Sequence, residues 1–150
     1  MNVGEYCKRA VVSIKSNADV LDAAKLMRQE HVGFLVAYKA DDELRRPVGV
    51  ITDRDLVLGV MAHDVGPQTV TVEEAMTRQP LIAAENDELS DLLHAMRMAG
   101  IRRVPVVDGR GALTGIIAID DVIEVITGLM CDITLSIKSE QRQEWRTRIA

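Results

Sequence analysis

The chain of 150 residues has only two cysteines, Cys7 and Cys131, near opposite ends and in no C-x-x-C or Cys/His spacing. That excludes a disulfide framework and a cysteine-based metal site, and two unpaired thiols suit a reducing compartment. No apolar run approaches the roughly 18 residues of a membrane span, and the opening stretch MNVGEYCKRAVV lacks a secretory-signal pattern. These absences predict a soluble, cytoplasmic protein without a membrane partner. Positive charge is also short: a net charge of −5 argues against a nucleic-acid surface, which needs a concentrated basic face. The tail KSEQRQEWRTRIA, with four basic and two acidic side chains, reads as a solvated helix end. Catalytic clusters are missing too. His31, His63 and His94 lie far apart with no spaced carboxylate or cysteine, and Ser13 and Ser90 lack a nucleophile elbow, so no enzyme is predicted.

What is present is an apolar content of 47%, ample for a core, in a length that suits one compact domain or two intimately joined halves. The chain is also a repeat. Residues 12–38 align with 81–107 at an offset of 69, matching Asn17, Asp22, Met27 and Arg28 to Asn86, Asp91, Met96 and Arg97. The offset then falls to 66, because KADDELRRPV in the first copy stands against the shorter DGRGALT, a length change of the kind that turns absorb. Beyond it GVITDRDLV at 49–57 matches GIIAIDDVI at 115–123, pairing Gly49 with Gly115, Ile51 with Ile117 and Asp55 with Asp121, while Thr52 becomes Ala118.

Each copy is predicted to run in the same order. Apolar residues at helical spacing place a helix over about 19–30 and another near 88–99. Two short strands follow each, at about 34–38 and 47–52 in the first copy and 103–107 and 113–118 in the second. A helix over about 53–62 closes the first copy. The second closes with a helix from about 119 that continues into the tail, with a break expected near Gly128. EEAM between the copies suggests a short helix, and the seven methionines read most simply as core filler.

The junction at Thr52 carries the chemistry. A strand ending there and a helix starting after it leave backbone N–H groups unpaired, where a phosphate is favoured. The Thr52 hydroxyl can donate to a phosphate oxygen, and a carboxylate at Asp55 can accept both hydroxyls of a ribose diol. The same Thr-x-x-Asp pattern also fits a capping box, the commoner use of such residues. Asp121 persists although Ala118 has no hydroxyl, which weighs toward the binding reading, while acid in a first helical turn is favourable in its own right. Arg102 and Arg103 offer planar donor forks suited to phosphate; adjacent strand residues face opposite sides, so one of the two is expected in a cleft. Arg54 is expected to face solvent.

Two copies of helix, strand, turn, strand, helix, each closed by G-h-h-x-x-x-D (h being apolar), with RRVPVVDGRGALTGIIAIDDVI in the second, resemble a pair of CBS domains, the Bateman module, over nearly all of residues 1–130. The resemblance implies an α+β (α/β) fold of two β-α-β-β-α units packed through their sheets about a pseudo-two-fold axis, with two clefts between them. It implies repeats at 1–64 and 65–130, with 131–150 as a C-terminal helical tail. It also implies a regulatory module that binds an adenine nucleotide (AMP, ADP or ATP, with S-adenosylmethionine or NAD ranking behind) and holds no prosthetic group. Carried over by motif, Thr52 is the phosphate-facing hydroxyl, Asp55 and Asp121 are the ribose-binding acids, and Arg102 and Arg103 meet phosphates. Val12 with Ser13, and Leu81 with Ile82, help to enclose adenine, while Val32 and Ile101 line the pocket through their backbone. Ala118 departs from the Ser or Thr usual there, and Phe34, Leu35 and Val36 differ from the RVPV form of the second copy, which makes the two clefts chemically unlike, so one ligand per chain is expected, in the cleft of Thr52 and Asp55. A homodimer and a separate regulated protein are the expected partners. The competing function is an interaction scaffold that has lost ligand binding.

Overall fold

The computed structural model describes residues 1–149. Its elements are α1 (Val3–Tyr6), β1 (Ser13–Lys15), α2 (Val20–Glu30), β2 (Phe34–Tyr38), β3 (Pro47–Thr52), α3 (Asp53–Gly59), a 3-10 turn (Met61–His63), α4 (Val72–Ala75), β4 (Thr77–Arg78), β5 (Ala83–Ala84), α5 (Leu89–Ala99), β6 (Arg103–Val107), β7 (Leu113–Ala118) and α6 (Ile119–Ile149). They form two sheets, ordered β1-β2-β3-β4 and β5-β6-β7, with β1 parallel to β2 and β5 parallel to β6. The mixed α+β repeat is thus present twice. Among the described residues no helix is long and apolar enough to cross a membrane.

The central helices form where the period and the caps agree. Asp19 caps α2 by accepting from the Asp22 N–H at 2.8 Å, and Val20, Ala23 and Met27 are buried on one face. In α5 the corresponding face is Leu89, Leu92 and Met96. Both helices end on a left-handed residue, His31 at φ 55° and Gly100 at φ 66°, of which only the glycine adopts that conformation without steric cost.

Each half has its own apolar core, centred on Leu35, Ala37 and Ile51 in one and on Val104, Val106 and Ile117 in the other. The middle strands are buried on both faces: Val36 and Pro105, which alternate with those core residues, are also fully buried. That second face of each sheet is covered by the opposite half, which is how the repeats pack through their sheets.

The segments that complete each core come from outside the aligned repeat. Val72 and Met76, after the first copy, close the first core, whereas Val3 closes the second. The Val3 and Gly4 N–H groups donate to Asp87 O and Glu85 O, and Lys8 exchanges backbone bonds with Ile116 at 2.8 and 2.9 Å. Lys8 therefore edges the second sheet as Thr77, opposite Val50, edges the first. The offset of 69 extends back to the N-terminus, where V-x-E-x-x-x-R occurs at 3–9 and again at 72–78. Thr71 and Glu74 close a capping box on α4, and the Thr71 N–H bonded to the Glu74 carboxylate holds its pKa below the ordinary value.

Two expectations are corrected. The helix expected over 53–62 ends at Gly59 and resumes as the 3-10 turn, because Val60 leaves helical geometry at φ −119° to bury its side chain in the first core. The expected break near Gly128 is absent: α6 is continuous over 31 residues, and the glycine lies in open space where its cost is conformational entropy alone.

Candidate functional site

Two clefts lie between the halves, related as the repeats are. The first, a cavity of about 610 Å³, is lined by Thr52, Asp55, Leu81, Ile101, Arg102 and Arg103 from the expected set, with Arg54 and Thr77 beside them. The second, about 320 Å³, takes in Val12, Val32, Arg103 and Asp121, with Lys8, His31 and Asp120. Small-molecule sites occupy roughly 300–1,000 Å³, so the first cleft is comfortably in that range and the second at its lower edge. Each cleft therefore combines the strand-to-helix junction of one repeat with the segments before and after the first helix of the other. Ser13 and Ile82 line neither cleft, because each follows a cleft-facing residue and points to the other side of extended backbone.

Arg102 and Arg103 both reach the first cleft, which corrects the expectation that only one would. β6 begins at Arg103, so Arg102 precedes the strand and its alternation does not apply. Arg54 is exposed, as expected, and also edges the first cleft. Arg102 donates to Asp120 at 3.1 Å, an exposed pair of small energetic worth. Arg103 forms no side-chain hydrogen bond or ion pair among the described residues and lines both clefts, as does Phe34, its counterpart in the first repeat.

The two junctions differ in what already occupies their carboxylates. At the first, Asp55 Oδ2 accepts the Thr52 N–H at 2.8 Å and Thr52 Oγ1 accepts the Asp55 N–H at 3.2 Å. The capping box is present, yet it does not exhaust the pair. A hydroxyl that accepts one bond keeps its own proton to donate, and Asp55 Oδ1 has no hydrogen-bond partner among the described residues.

At the second, Asp121 Oδ2 accepts the Ala118 N–H at 3.0 Å, so half of a box survives without the hydroxyl. Oδ1 forms an ion pair with Lys8 Nζ, and the carboxylate is largely buried at 9% exposure. Hydrogen bonding to Asp121 raises the Lys8 ammonium pKa above its ordinary value. Asp121 thus has protein partners of its own in addition to its place in the second cleft. Lys8 was not singled out in the sequence; the recurring V-x-E-x-x-x-R that aligns it with Thr77 was the available signal.

Among the described residues no group of three His, Cys, Asp or Glu side chains is placed to hold a metal ion. Burial raises the pKa of the Cys7 thiol, and Cys131 is exposed on α6.

The CBS domain family model matches residues 3–62 and 72–128. An uncharacterized protein of Methanopyrus kandleri is 33% identical over 144 residues, covering 95% of this chain and 71% of its own length. A CBS domain protein from Pyrobaculum aerophilum, solved in complex with AMP, superposes with a TM-score of 0.73 at 26% identity, over 85% of this chain and 99% of that one. The CBS domain pair of protein MJ0100, solved with 5'-methylthioadenosine and S-adenosyl-L-methionine, superposes with a TM-score of 0.72 at 26% identity, over 85% and 97%. With both repeats matched and both clefts formed, the chain belongs to the CBS-domain family as a tandem pair.

Proposed function

We propose that the protein is a regulatory module that binds an adenosine-containing ligand, with an adenine nucleotide foremost, in the first cleft. The observation that carries this is the free Oδ1 of Asp55 beside a Thr52 hydroxyl able to donate, in a cavity that also gathers Arg54, Arg102 and Arg103. Asp55 accepts the ribose diol, Thr52 and the arginines meet phosphate, and Leu81 and Ile101 enclose the base. The bound AMP of the Pyrobaculum protein and the adenosyl ligands of MJ0100 support the ligand class. The module acts by binding, not catalysis, in the reducing cytoplasm. A ligand that bridges the halves favours one relative arrangement of them, and a separate protein responds to that arrangement.

Calorimetric titration with AMP tests the reading. Asp55→Ala is expected to weaken binding about tenfold or more, since a hydrogen bond to a charged acceptor is worth about 1.5–3 kcal/mol. Thr52→Ala is expected to weaken AMP but not adenosine. Unchanged AMP affinity in folded Asp55→Ala would remove that carboxylate from the site. No heat with AMP, ADP, ATP or S-adenosylmethionine from ligand-free protein would favour the interaction scaffold.

The module works as a homodimer on this reading. Ile123, Ile126, Met130, Ile133 and Ile137 recur at alternating spacings of three and four along α6 and are all about half exposed or more, the pattern of a helix that packs on another helix. A two-fold pair of α6 helices covers that stripe. Sedimentation of Ile126→Lys/Ile133→Lys is expected to give monomer where the parent chain gives dimer.

A further inference from the structure

We infer that Lys8 is an internal occupant of the second cleft, which keeps Asp121 from a ribose diol and limits the chain to one adenosyl ligand. The inference rests on the adenosyl reading of the first cleft and concerns what makes the other cleft different.

The geometry is specific to that side. Lys8 is held at the edge of the second sheet by two backbone bonds to Ile116, so its side chain starts from a fixed point on the cleft wall. Its ammonium meets Asp121 Oδ1 while the Ala118 N–H meets Oδ2, so that each carboxylate oxygen already has a partner. In the first cleft the corresponding edge residue is Thr77, which carries no charge, and Asp55 keeps Oδ1 free. A neutral diol entering the second cleft must separate a charge-assisted contact from a largely buried carboxylate and replace it with weaker neutral donors. It would also find no hydroxyl at Ala118, in a cavity about half the volume of the first. The ammonium thus does to Asp121 what a ligand would do, and it is always at hand.

Lys8 is exposed enough that replacing it leaves both cores intact, its side chain being 63% exposed. Lys8→Met keeps the length and removes the charge, while Lys8→Arg keeps the charge. The probe is AMP, with stoichiometry read by calorimetry on protein shown to be ligand-free. The parent chain and Lys8→Arg are expected to take one AMP per chain, weakened about tenfold or more in Asp55→Ala and indifferent to Asp121→Ala. Lys8→Met is expected to take two, the second lost when Asp121→Ala is added. One site in both the parent and Lys8→Met overturns the inference and leaves the adenosyl reading standing. Two sites in the parent that fall to one in Lys8→Met would make Lys8 a phosphate ligand and also overturn it. No AMP bound by parent or variant overturns the adenosyl reading and the inference together.

Discussion

Gly49 and Gly115 sit at the same place in the two repeats for the same steric reason. A Cβ on Gly115 would lie 2.6 Å from Cys7 Sγ, and one on Gly49 would run into the Met76 side chain. Each glycine lets the segment that closes its half lie flat across the strand. Gly115→Ala is therefore expected to cost about 1–3 kcal/mol, as overpacking does, read as a lowered urea midpoint. Adding Cys7→Ala should recover part of that loss. The glycines were legible in the sequence as matching letters, but their reason was not, because the atoms they avoid lie 27 and about a hundred residues away in the chain. Asp55 and Asp121 were likewise legible as a pair, while the lysine that distinguishes them enters from residues 1–11, outside the aligned repeat.

At the scale of elements, α2 and α5 were readable because eleven residues of helical period, with an acid before one and a glycine after the other, agree on their limits. β4 and β5 have two residues each and α1 and α4 four, too few to express a period; α4 was suggested by its composition alone. What makes α1 an element is its bonding to Glu85 and Asp87, a long-range fact. The helix expected to break at Gly128 tests the opposite limit, since a breaker acts only where nothing else holds the backbone. With open space around it, Gly128→Ala is expected to stabilise α6 by about 0.5–1 kcal/mol and to raise the far-ultraviolet helical signal. A lower signal would mean that the glycine is needed for a bend there.

For the whole molecule, the two closing segments make each half depend on chain outside its own aligned repeat. Val3 is fully buried in the second core and Val72 in the first. Truncating either to alanine is expected to cost about 2 kcal/mol, with effects on opposite sides. In hydrogen exchange, Val3→Ala should loosen β6 and β7 and leave β2 and β3 protected, and Val72→Ala should do the reverse. Faster exchange in all four strands from either change would mean that the halves open as one unit. The sequence carried the two-repeat plan and the first junction because both are local patterns; the pairing of the halves and the sharing of Arg103 are matters of how the sheets meet.

One further property follows from where α6 begins. Its first residue follows β7 without a loop and its first turn holds Asp121, so its base is part of the second cleft, while every described residue from Ile126 to Ile149 is exposed. Thirty-one residues of helix extend for about 46 Å at 1.5 Å per residue. Such a rod is a lever with its fulcrum beside the second cleft: tilting the base by about 5° would sweep the far end through about 4 Å, by the same helical dimensions. A shift between the halves too small to disturb either core would then be a displacement of side-chain size at the tip.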